Sequence, residues 1–277
     1  GGKDDRRRTL IESEDEVAFT ADDFIVEEDN VVIVSRDGWV KRQKEVRDLA
    51  TTRLREGDSV LAVLQGSTRA SVVFFSNLGA AYTARIIDVP ASTGYGEPVQ
   101  KLFKLRDGER VVAAYSLDPR VSGQIAPVGK GGKPADPDAV PPVHALAVTS
   151  DGYSLRFSFS PFVEPSTRAG RRFARPAEGA EVVGVTRVTG EEVVIAATAD
   201  ARAMLCRAEE VNFLSGPGKG VILIKLASDE DRVIGFMAST GDRDLLRVET
   251  SRGGEQTIST AKYEVTDRKS TRLNSSH

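Results

Sequence analysis

The chain is patterned in short apolar runs rather than in helical repeats. Runs of five to eight residues rich in Val, Ile and Phe end at Asp-Gly, Asn or Gly, and almost no stretch keeps the spacing of an amphipathic helix. Such runs are typical of strands, so we expect an all-β protein. The predicted strands are 31–35, 59–64, 71–75, 110–117, 144–149, 181–188, 192–198, 232–237 and 244–249.

A strand, a tight turn and a second strand recur five times along the chain. Three copies are clear, at 31–42, 72–83 and 145–156, and the copies at 193–207 and 245–259 are more worn. The turns fall at Gly38, Gly79, Gly152, Ala201 and Gly253, which are 41, 73, 49 and 52 residues apart. The long interval contains residues 120–142, which are rich in Pro, Gly, Lys and Asp and are interpreted as a surface insertion. Without it the repeat is about 40 to 50 residues long, as in propeller blades.

A second kind of unit follows each hairpin. It consists of a loop with Gly and basic residues, an apolar strand, an acidic turn and another apolar strand, with loops at 94–98, 168–172 and 216–220. Each repeat then offers four strands, so we predict a ring of about five four-stranded blades. Residues 1–30 lack this pattern and are interpreted as a lead-in, with a short helix at 12–19 and a linker.

Composition narrows the choice of function. With 277 residues, 40% of them hydrophobic, the chain can bury a core without disulfides or metals. One cysteine, Cys206, and two histidines, His144 and His277, exclude zinc sites of four cysteines, of two cysteines and two histidines, or of three histidines. No run of 18 apolar residues and no export signal is present, so we expect a cytoplasmic protein that does not enter a membrane.

Basic residues are concentrated in the loops. Residues 1–30 carry eleven acidic and four basic side chains, which leaves 30 acidic and 34 basic ones in the remainder. Equivalent loops of a ring share one rim, so bases after the hairpins would form a positive track for a phosphate backbone. The plainer alternative, charged loops that only solvate the surface, stays open. The candidate DNA-binding residues are Lys41, Arg42, Lys44, Arg47, Arg53, Arg55, Arg168, Arg171, Arg172 and Lys219.

Few residues offer catalytic chemistry. No orienting carboxylate is fixed near His144 by spacing, so we interpret it as structural, and Cys206 as a small buried hydrophobe. Residues 129–134 lack the Ser or Thr of a phosphate-binding loop, because Pro134 stands there. Residues 94–99 lack the third glycine of a dinucleotide fingerprint. We therefore predict no catalytic residue and no metal site.

Several stretches are similar to one known family. Residues 30–42, 54–59, 72–76 and 89–98 resemble the C-terminal domain of the A subunit of bacterial type IIA topoisomerases, nearer to topoisomerase IV than to gyrase. The opening residues 4–9 resemble the end of the DNA-cleaving core. The resemblance implies the end of that core and a linker at 1–30, a β-pinwheel at 31–267, and a disordered or non-native tail at 268–277.

The resemblance also implies a function. The pinwheel of this family binds and bends duplex DNA at a basic outer edge through phosphates, without reading bases. The active-site tyrosine lies in a part of the enzyme that this chain does not contain. No cofactor belongs to this domain, whereas the full enzyme uses ATP and magnesium and assembles with the topoisomerase B subunit and a second A subunit. We expect a non-catalytic domain that presents duplex DNA for relaxation and decatenation.

Two departures from the family pattern define the alternatives. Gyrase A domains carry a Gln-Arg-Arg-Gly-Gly-x-Gly box in the first loop, where this chain has Thr51–Asp58. Chiral wrapping and negative supercoiling are therefore not expected, and the insertion 120–142 has no counterpart. The alternatives are a gyrase A domain with a degraded box and a propeller scaffold that binds proteins.

Overall fold

Strands make up most of the regular structure. The computed structural model describes residues 24–240 except Gly132 and Pro134, together with the backbone of three further strands at 245–249, 255–259 and 271–272. Each of the nine predicted runs overlaps a strand. The strands are β1 Asp29–Ser35, β2 Trp39–Gln43, β3 Val60–Ser67, β4 Ser71–Ser76, β5 Ala80–Arg85, β6 Glu97–Pro98, β7 Val111–Ser116, β8 His144–Thr149, β9 Tyr153–Phe157, β10 Arg171–Arg172, β11 Val182–Val188, β12 Val193–Thr198, β13 Arg202–Arg207, β14 Phe213–Leu214, β15 Val221–Ile222, β16 Val233–Ser239, β17 Leu245–Glu249, β18 Glu255–Ser259 and β19 Thr271–Arg272.

Helical structure in this part of the chain is limited to single turns. One α-helical turn, α1, covers Pro119–Ser122 at the start of the insertion. Short 3-10 turns are Leu49–Thr51, Ile86–Asp88, Val99–Lys101, Ser160–Phe162 and Ala208–Glu210. No helix of the described residues is long and apolar enough to cross a membrane. The helix predicted at 12–19 lies outside the described residues.

The strands form four blades and one further hairpin. Blade 1 has the order β3-β1-β2-β6, blade 2 β10-β5-β4-β7, blade 3 β11-β8-β9-β14 with β15 also on β9, and blade 4 β16-β12-β13-β19. The hairpin β17-β18 is a separate two-stranded sheet. The predicted all-β fold built from four-stranded sheets is confirmed, and the fifth repeat is described only as this hairpin.

Each blade takes its outer strand from a later part of the chain than its other strands. β6 completes blade 1 although it follows β4 and β5 of blade 2, and β10, β15 and β19 join their blades in the same way. The expectation that one contiguous repeat supplies a whole blade is therefore wrong. The apolar strand expected from Lys101 on, after the loop 94–98, does not form, because Val99–Lys101 is a 3-10 turn and residues 102–110 are a loop.

Packing between blades explains why the apolar runs do not alternate with polar residues. Successive strand residues point to opposite faces of a sheet. Phe74 packs with Val32 in the core between blades 1 and 2, while Phe75 packs with Phe157 and Phe173 between blades 2 and 3. The ring centroid of Phe75 lies 5.6 Å from that of Phe157 and 4.9 Å from that of Phe173. Because all of β4 is buried, both of its faces need apolar side chains.

The hairpin turns repeat in atomic detail. At the end of each first strand a hydroxyl oxygen accepts the backbone N–H four residues later, in the pairs Ser35 and Trp39, Ser76 and Ala80, Thr149 and Tyr153, and Thr198 and Arg202. The predicted turn residues Gly38, Gly79, Gly152 and Ala201 all have positive φ. These four positions are confirmed, and Gly253 lies outside the described residues.

The segments beyond the blades differ in part from expectation. After α1 the insertion is a loop, as predicted, and residues 4–9 are not described. Thr271–Arg272 pairs with β13 as the outer strand of blade 4. Two residues of the predicted tail 268–277 are thus paired as a strand, and the non-native origin of the tail stays a prediction. Polar side chains do not prevent such pairing, because the free edge of β13 bonds to backbone groups of any sequence.

Candidate nucleic-acid interface

The loops that lead into the outer strands are anchored alike in three blades. The carbonyl oxygen of the hairpin-turn residue accepts a backbone N–H from the segment after the outer strand. The pairs are Gly38 with Val99, Gly79 with Phe173, and Gly152 with Leu223, each at 2.8 Å. The loops before β6, β10 and β15 therefore occupy equivalent places at the outer edge.

Blade 2 carries a basic groove of about 440 Å³ on this edge. The backbone N–H of Lys104 donates to the Arg168 carbonyl at 2.8 Å, which joins the loop before β7 to the loop before β10. Tyr82 lines the groove beneath these loops. The basic residues that line it are Lys104, Arg106, Arg171 and Arg172.

A buried carboxylate fixes the groove from below. Glu109 accepts hydrogen bonds from the Ser76 and Tyr82 hydroxyls at 2.7 Å each and from the Arg106 N–H at 2.7 Å. Burial opposes its ionisation, but these hydrogen bonds and the Arg106 charge keep the pKa of Glu109 below its usual value. Burial and the same carboxylate raise the pKa of Tyr82, so its hydroxyl stays a donor. The one buried acid leaves the groove with an excess of positive charge.

Arg171 and Arg172 extend this surface toward blade 3. The Arg171 guanidinium donates to the carbonyl oxygens of Pro161 and Pro165, and Arg172 donates to that of Leu78. Both arginines also line a smaller cavity beside Phe173. Their backbone positions are set by the pairing of β10 with Ala80 and Ala81 of β5.

Blade 1 presents four exposed bases on the loop 44–58. Lys44 pairs with Glu28 at 3.3 Å and Arg47 with Glu45 at 2.9 Å, so part of their charge is neutralised. The other two bases, Arg53 and Arg55, follow the 3-10 turn Leu49–Thr51. The Arg55 guanidinium lies over the Trp39 ring, 4.8 Å from its centroid.

Blade 3 repeats that arrangement with other residues. Lys219 lies over the Tyr153 ring with its ammonium nitrogen 3.9 Å from the centroid. Tyr153 and Trp39 are both the first residue of the second strand in their blades. An aromatic ring at this position thus carries a cation in both blades.

Lys41 does not belong to the exposed surface. It is 1% exposed, and its ammonium donates to the carbonyl oxygens of Arg53 and Gly94 at 2.8 Å each. Burial, with a smaller contribution from the Arg53 charge, lowers the pKa of Lys41. The structure contradicts its predicted contact with DNA, because the ammonium is enclosed and already bonded.

Arg42 is also a structural residue. Its Nε donates to the Val89 carbonyl at 2.8 Å and its Nη1 to the Asn30 side-chain oxygen at 3.1 Å. It is half-buried and bonded within the protein, and its DNA contact, like that of the exposed bases, stays a prediction. For Lys44, Arg47, Arg53, Arg55, Arg168, Arg171, Arg172 and Lys219 the DNA contact stays a prediction.

His144 and Cys206 are structural, as predicted. His144 is fully buried, with Nδ1 bonded to the Pro141 carbonyl and Nε2 to Nη1 of Arg156 at 3.1 Å. Since the arginine N–H donates, Nε2 accepts and the proton lies on Nδ1. Cys206 packs in the core between blades 3 and 4. No group of three or more His, Cys, Asp or Glu that could hold a metal occurs in the described part of the chain.

Lys104 and Arg106 were missed by the sequence analysis. They fall in a segment that was interpreted as an apolar strand, whereas residues 102–110 form a loop. The available signal was the turn Asp107-Gly108 directly after them, which corresponds to Glu56-Gly57 in the basic loop of blade 1.

Comparison with known proteins gives a consistent family. Residues 70–118, 144–189 and 192–240, just over half of the chain, match the family described as "DNA gyrase C-terminal domain, beta-propeller". The segment between the first two matched ranges contains the insertion.

Curated relatives of both topoisomerase types match the chain. It is 27% identical over 242 residues to the A subunit of DNA gyrase from Aminobacterium colombiense, which covers 83% of this chain and 27% of that protein. It is 32% identical over 109 residues to the A subunit of DNA topoisomerase 4 from Escherichia coli, covering 39% and 14%. The chain spans about a quarter of the length of the gyrase proteins it matches.

Solved structures show the same fold. The C-terminal domain of E. coli ParC has a TM-score of 0.64 at 21% identity, covering 85% of this chain and 88% of that one. A DNA gyrase A C-terminal domain has a TM-score of 0.56 at 19% identity, covering 87% and 75%. These comparisons do not separate the two types of topoisomerase.

Proposed function

Because this chain belongs to the DNA gyrase C-terminal domain family of β-propellers, we propose that it binds duplex DNA along its outer edge. The observation that carries the proposal is the groove on blade 2, where four basic side chains and one buried carboxylate leave a positive surface. Phosphate oxygens are the partners that Lys and Arg take in such a surface.

The same surface favours binding that is independent of DNA sequence. The only aromatic side chain lining the groove is Tyr82, which is buried and bonded to Glu109, so it cannot stack on a base. Contacts to phosphates position a protein on the duplex and carry no base information. The domain then bends and presents DNA, while cleavage, ATP, magnesium, the topoisomerase B subunit and a second A subunit belong to the longer enzyme of which this chain would be one part.

The subtype we propose is topoisomerase IV, with relaxation and decatenation as the reactions served. The support is the first loop, where Thr51–Asp58 stands in place of the glycine-rich box. The alternative, a gyrase A domain that wraps DNA for negative supercoiling, is favoured by whole-domain matches to gyrase proteins such as that of Aminobacterium colombiense.

The test of DNA binding is fluorescence anisotropy with short duplexes of several sequences. We expect affinity to fall about tenfold or more between roughly 50 and 200 mM salt. The double substitution Lys104→Ala and Arg172→Ala should weaken all sequences equally and reduce the salt slope by about two units. Lys130→Ala with Lys133→Ala, on the insertion, is the matched control. Absent or salt-insensitive binding would favour a protein-binding scaffold.

The subtype is tested by DNA topology. Nicked circles are religated in the presence of the domain and their linking number is compared with that of circles religated alone. If the domain bends DNA without chirality, the mean linking number of the religated circles does not change, which is the result expected for the topoisomerase IV type. A consistent shift of one sign would support the gyrase alternative.

A further inference from the structure

The second strand of each blade begins at the outer edge, at a position we call the edge station. The edge stations are Trp39, Ala80, Tyr153 and Arg202, and each lies opposite an outer-strand residue: Pro98, Arg172, Ile222 and Arg272, respectively. In blade 2 the outer strand itself supplies the base. In blades 1 and 3 the outer-strand residue is Pro or Ile, and a loop base lies on an aromatic ring instead.

We propose that Trp39 and Tyr153 are positioning residues, which hold Arg55 and Lys219 at the edge stations so that these bases meet phosphates already oriented. This inference rests on the proposed DNA binding and assigns roles within it. It accounts for aromatic residues in two blades at the position where the outer strand brings no charge.

The path of the chain in blade 1 supports this role. Trp39 and Lys41 lie on the same face of β2, because strand residues two apart share a face. Lys41 holds the Arg53 carbonyl at 2.8 Å, and Arg55, two residues later, is thereby brought over the Trp39 ring. A buried cation thus fixes the loop, and the ring fixes the exposed cation.

In blade 3 the outer strand β15 positions the cation over the ring. Ile222 of β15 pairs with Tyr153 and Val221 with Ser154, so the antiparallel strand runs back along β9. Lys219, two residues before Val221, falls on the Tyr153 ring at 3.9 Å. A loop after the second strand in blade 1 and the segment before β15 in blade 3 thus both place a cation over the ring at the edge station. The same arrangement reached by two chain paths supports a shared role.

The physical gain is reduced disorder in the free protein. Arg and Lys side chains lose rotamer freedom when they bind a phosphate. A ring beneath the cation attracts it without neutralising its charge, unlike a carboxylate partner. Lys44 and Arg47, which pair with Glu28 and Glu45, illustrate the other arrangement.

The experiment is a double-mutant cycle in DNA affinity. Trp39→Leu and Arg55→Met should each weaken binding about three- to tenfold, and the double variant should be no weaker than Arg55→Met alone. The same cycle with Tyr153→Leu and Lys219→Met should give the same pattern. Trp39→Phe keeps an aromatic ring and should therefore retain most of the affinity that Trp39→Leu loses. Thermal unfolding identifies any variant that fails to fold.

Tyr95→Leu is the matched control. Tyr95 is 54% exposed in the loop before β6, and the described residues place no cation on its ring. Additive losses in the cycle, or an equal loss in Tyr95→Leu, would overturn the inference by showing that the rings act independently of the cations. A wild type without DNA binding would instead refute the proposed function, so the two failures are distinguishable.

Trp39 also provides a direct readout, since it is the only tryptophan of the chain. DNA bound by Arg55 alters the environment of the ring, so we expect a change in tryptophan emission on addition of duplex. Arg55→Met should abolish most of that change, whereas Arg85→Met, at the end of β5 in blade 2, should leave it. An emission change that survives Arg55→Met would contradict the role of Trp39.

Discussion

Blades 1 and 3 place an arginine at the same position and give it different partners. Arg42 in blade 1 donates to a carbonyl and to the Asn30 amide oxygen. Arg156 in blade 3 donates to a carbonyl at 2.6 Å, to the His144 imidazole and to a second carbonyl, that of Glu209. Both arginines stand three residues after the edge station. In both blades the arginine at this position is therefore bonded within the protein.

The difference lies in burial. Arg156 is 8% exposed and bonded at three nitrogens, whereas Arg42 is half-buried and bonded at two. Burial lowers the pKa of Arg156, although Glu209 and Glu192 oppose this effect. A deeper cation needs more acceptors, and blade 3 supplies them.

The largest effect should come from removing the hydrogen bonds of Arg156 in blade 3. Arg156→Met leaves two carbonyl oxygens and an imidazole nitrogen without their donor, and we expect a loss of about 3 kcal/mol in the free energy of unfolding. Arg42→Met in blade 1 should cost about 1 kcal/mol, because this half-buried guanidinium makes fewer hydrogen bonds. Urea unfolding measures both. Equal losses in the free energy of unfolding would contradict the expectation that Arg156 stabilises the fold more than Arg42 does.

The hairpin turns offer a second contrast. Gly38 and Gly152 both have positive φ, 84° and 87°. A Cβ at Gly152 would lie 2.2 Å from the Ile224 carbonyl oxygen, while one at Gly38 would meet only a Val99 methyl at 3.8 Å. We expect Gly152→Ala to cost about 2 to 3 kcal/mol and Gly38→Ala about 1 kcal/mol. Thermal unfolding of the two variants tests the order, and a reversed order would refute it.

The face below the edge station differs as well. Blade 1 has the buried Lys41 where blade 3 has Leu155. Lys41→Met should cost about 1 kcal/mol and free the loop 44–58, because the bonds to Arg53 and Gly94 are lost. Hydrogen exchange should show faster exchange confined to this loop. Lys104→Met, an exposed control, should change neither stability nor exchange there.

The smallest effect concerns pH. Burial lowers the pKa of His144 from about 6.5, with Arg156 adding to the effect and Glu192 and the Pro141 carbonyl opposing it; the Phe213 ring also faces the imidazole. The unfolded chain then binds a proton that the folded one resists. Stability is complete above the unfolded pKa and falls as pH decreases below it, by at most about 1.4 kcal/mol per pH unit.

Replacing the imidazole tests the origin of that slope. His144→Asn introduces the acceptor that blade 1 uses at the same position. Urea unfolding between pH 7 and about 5.5 should then lose most of its pH dependence. An unchanged slope in His144→Asn would place the titrating group elsewhere.

Much of the fold was readable from sequence because burial on both faces of each blade leaves an unbroken apolar run. The same reasoning placed the hairpin turns, including Ala201. It could not supply strand partners, since the run 110–117 carries no mark of the blade it joins. It also could not sort the bases, because Lys41 and Lys44 look alike in sequence while only Lys44 reaches solvent.

The exchange of outer strands sets a rule for how such a protein can be shortened or duplicated. Truncation after residue 143, at a hairpin boundary, would remove blades 3 and 4 and would also take β10 from blade 2. The outer strand of each blade is supplied by the next repeat along the chain. A stable deletion would therefore join equivalent points of two repeats, so that every remaining blade still receives an outer strand. For the same reason, unequal crossing-over between repeats in register would change the number of blades without leaving a sheet edge unpaired.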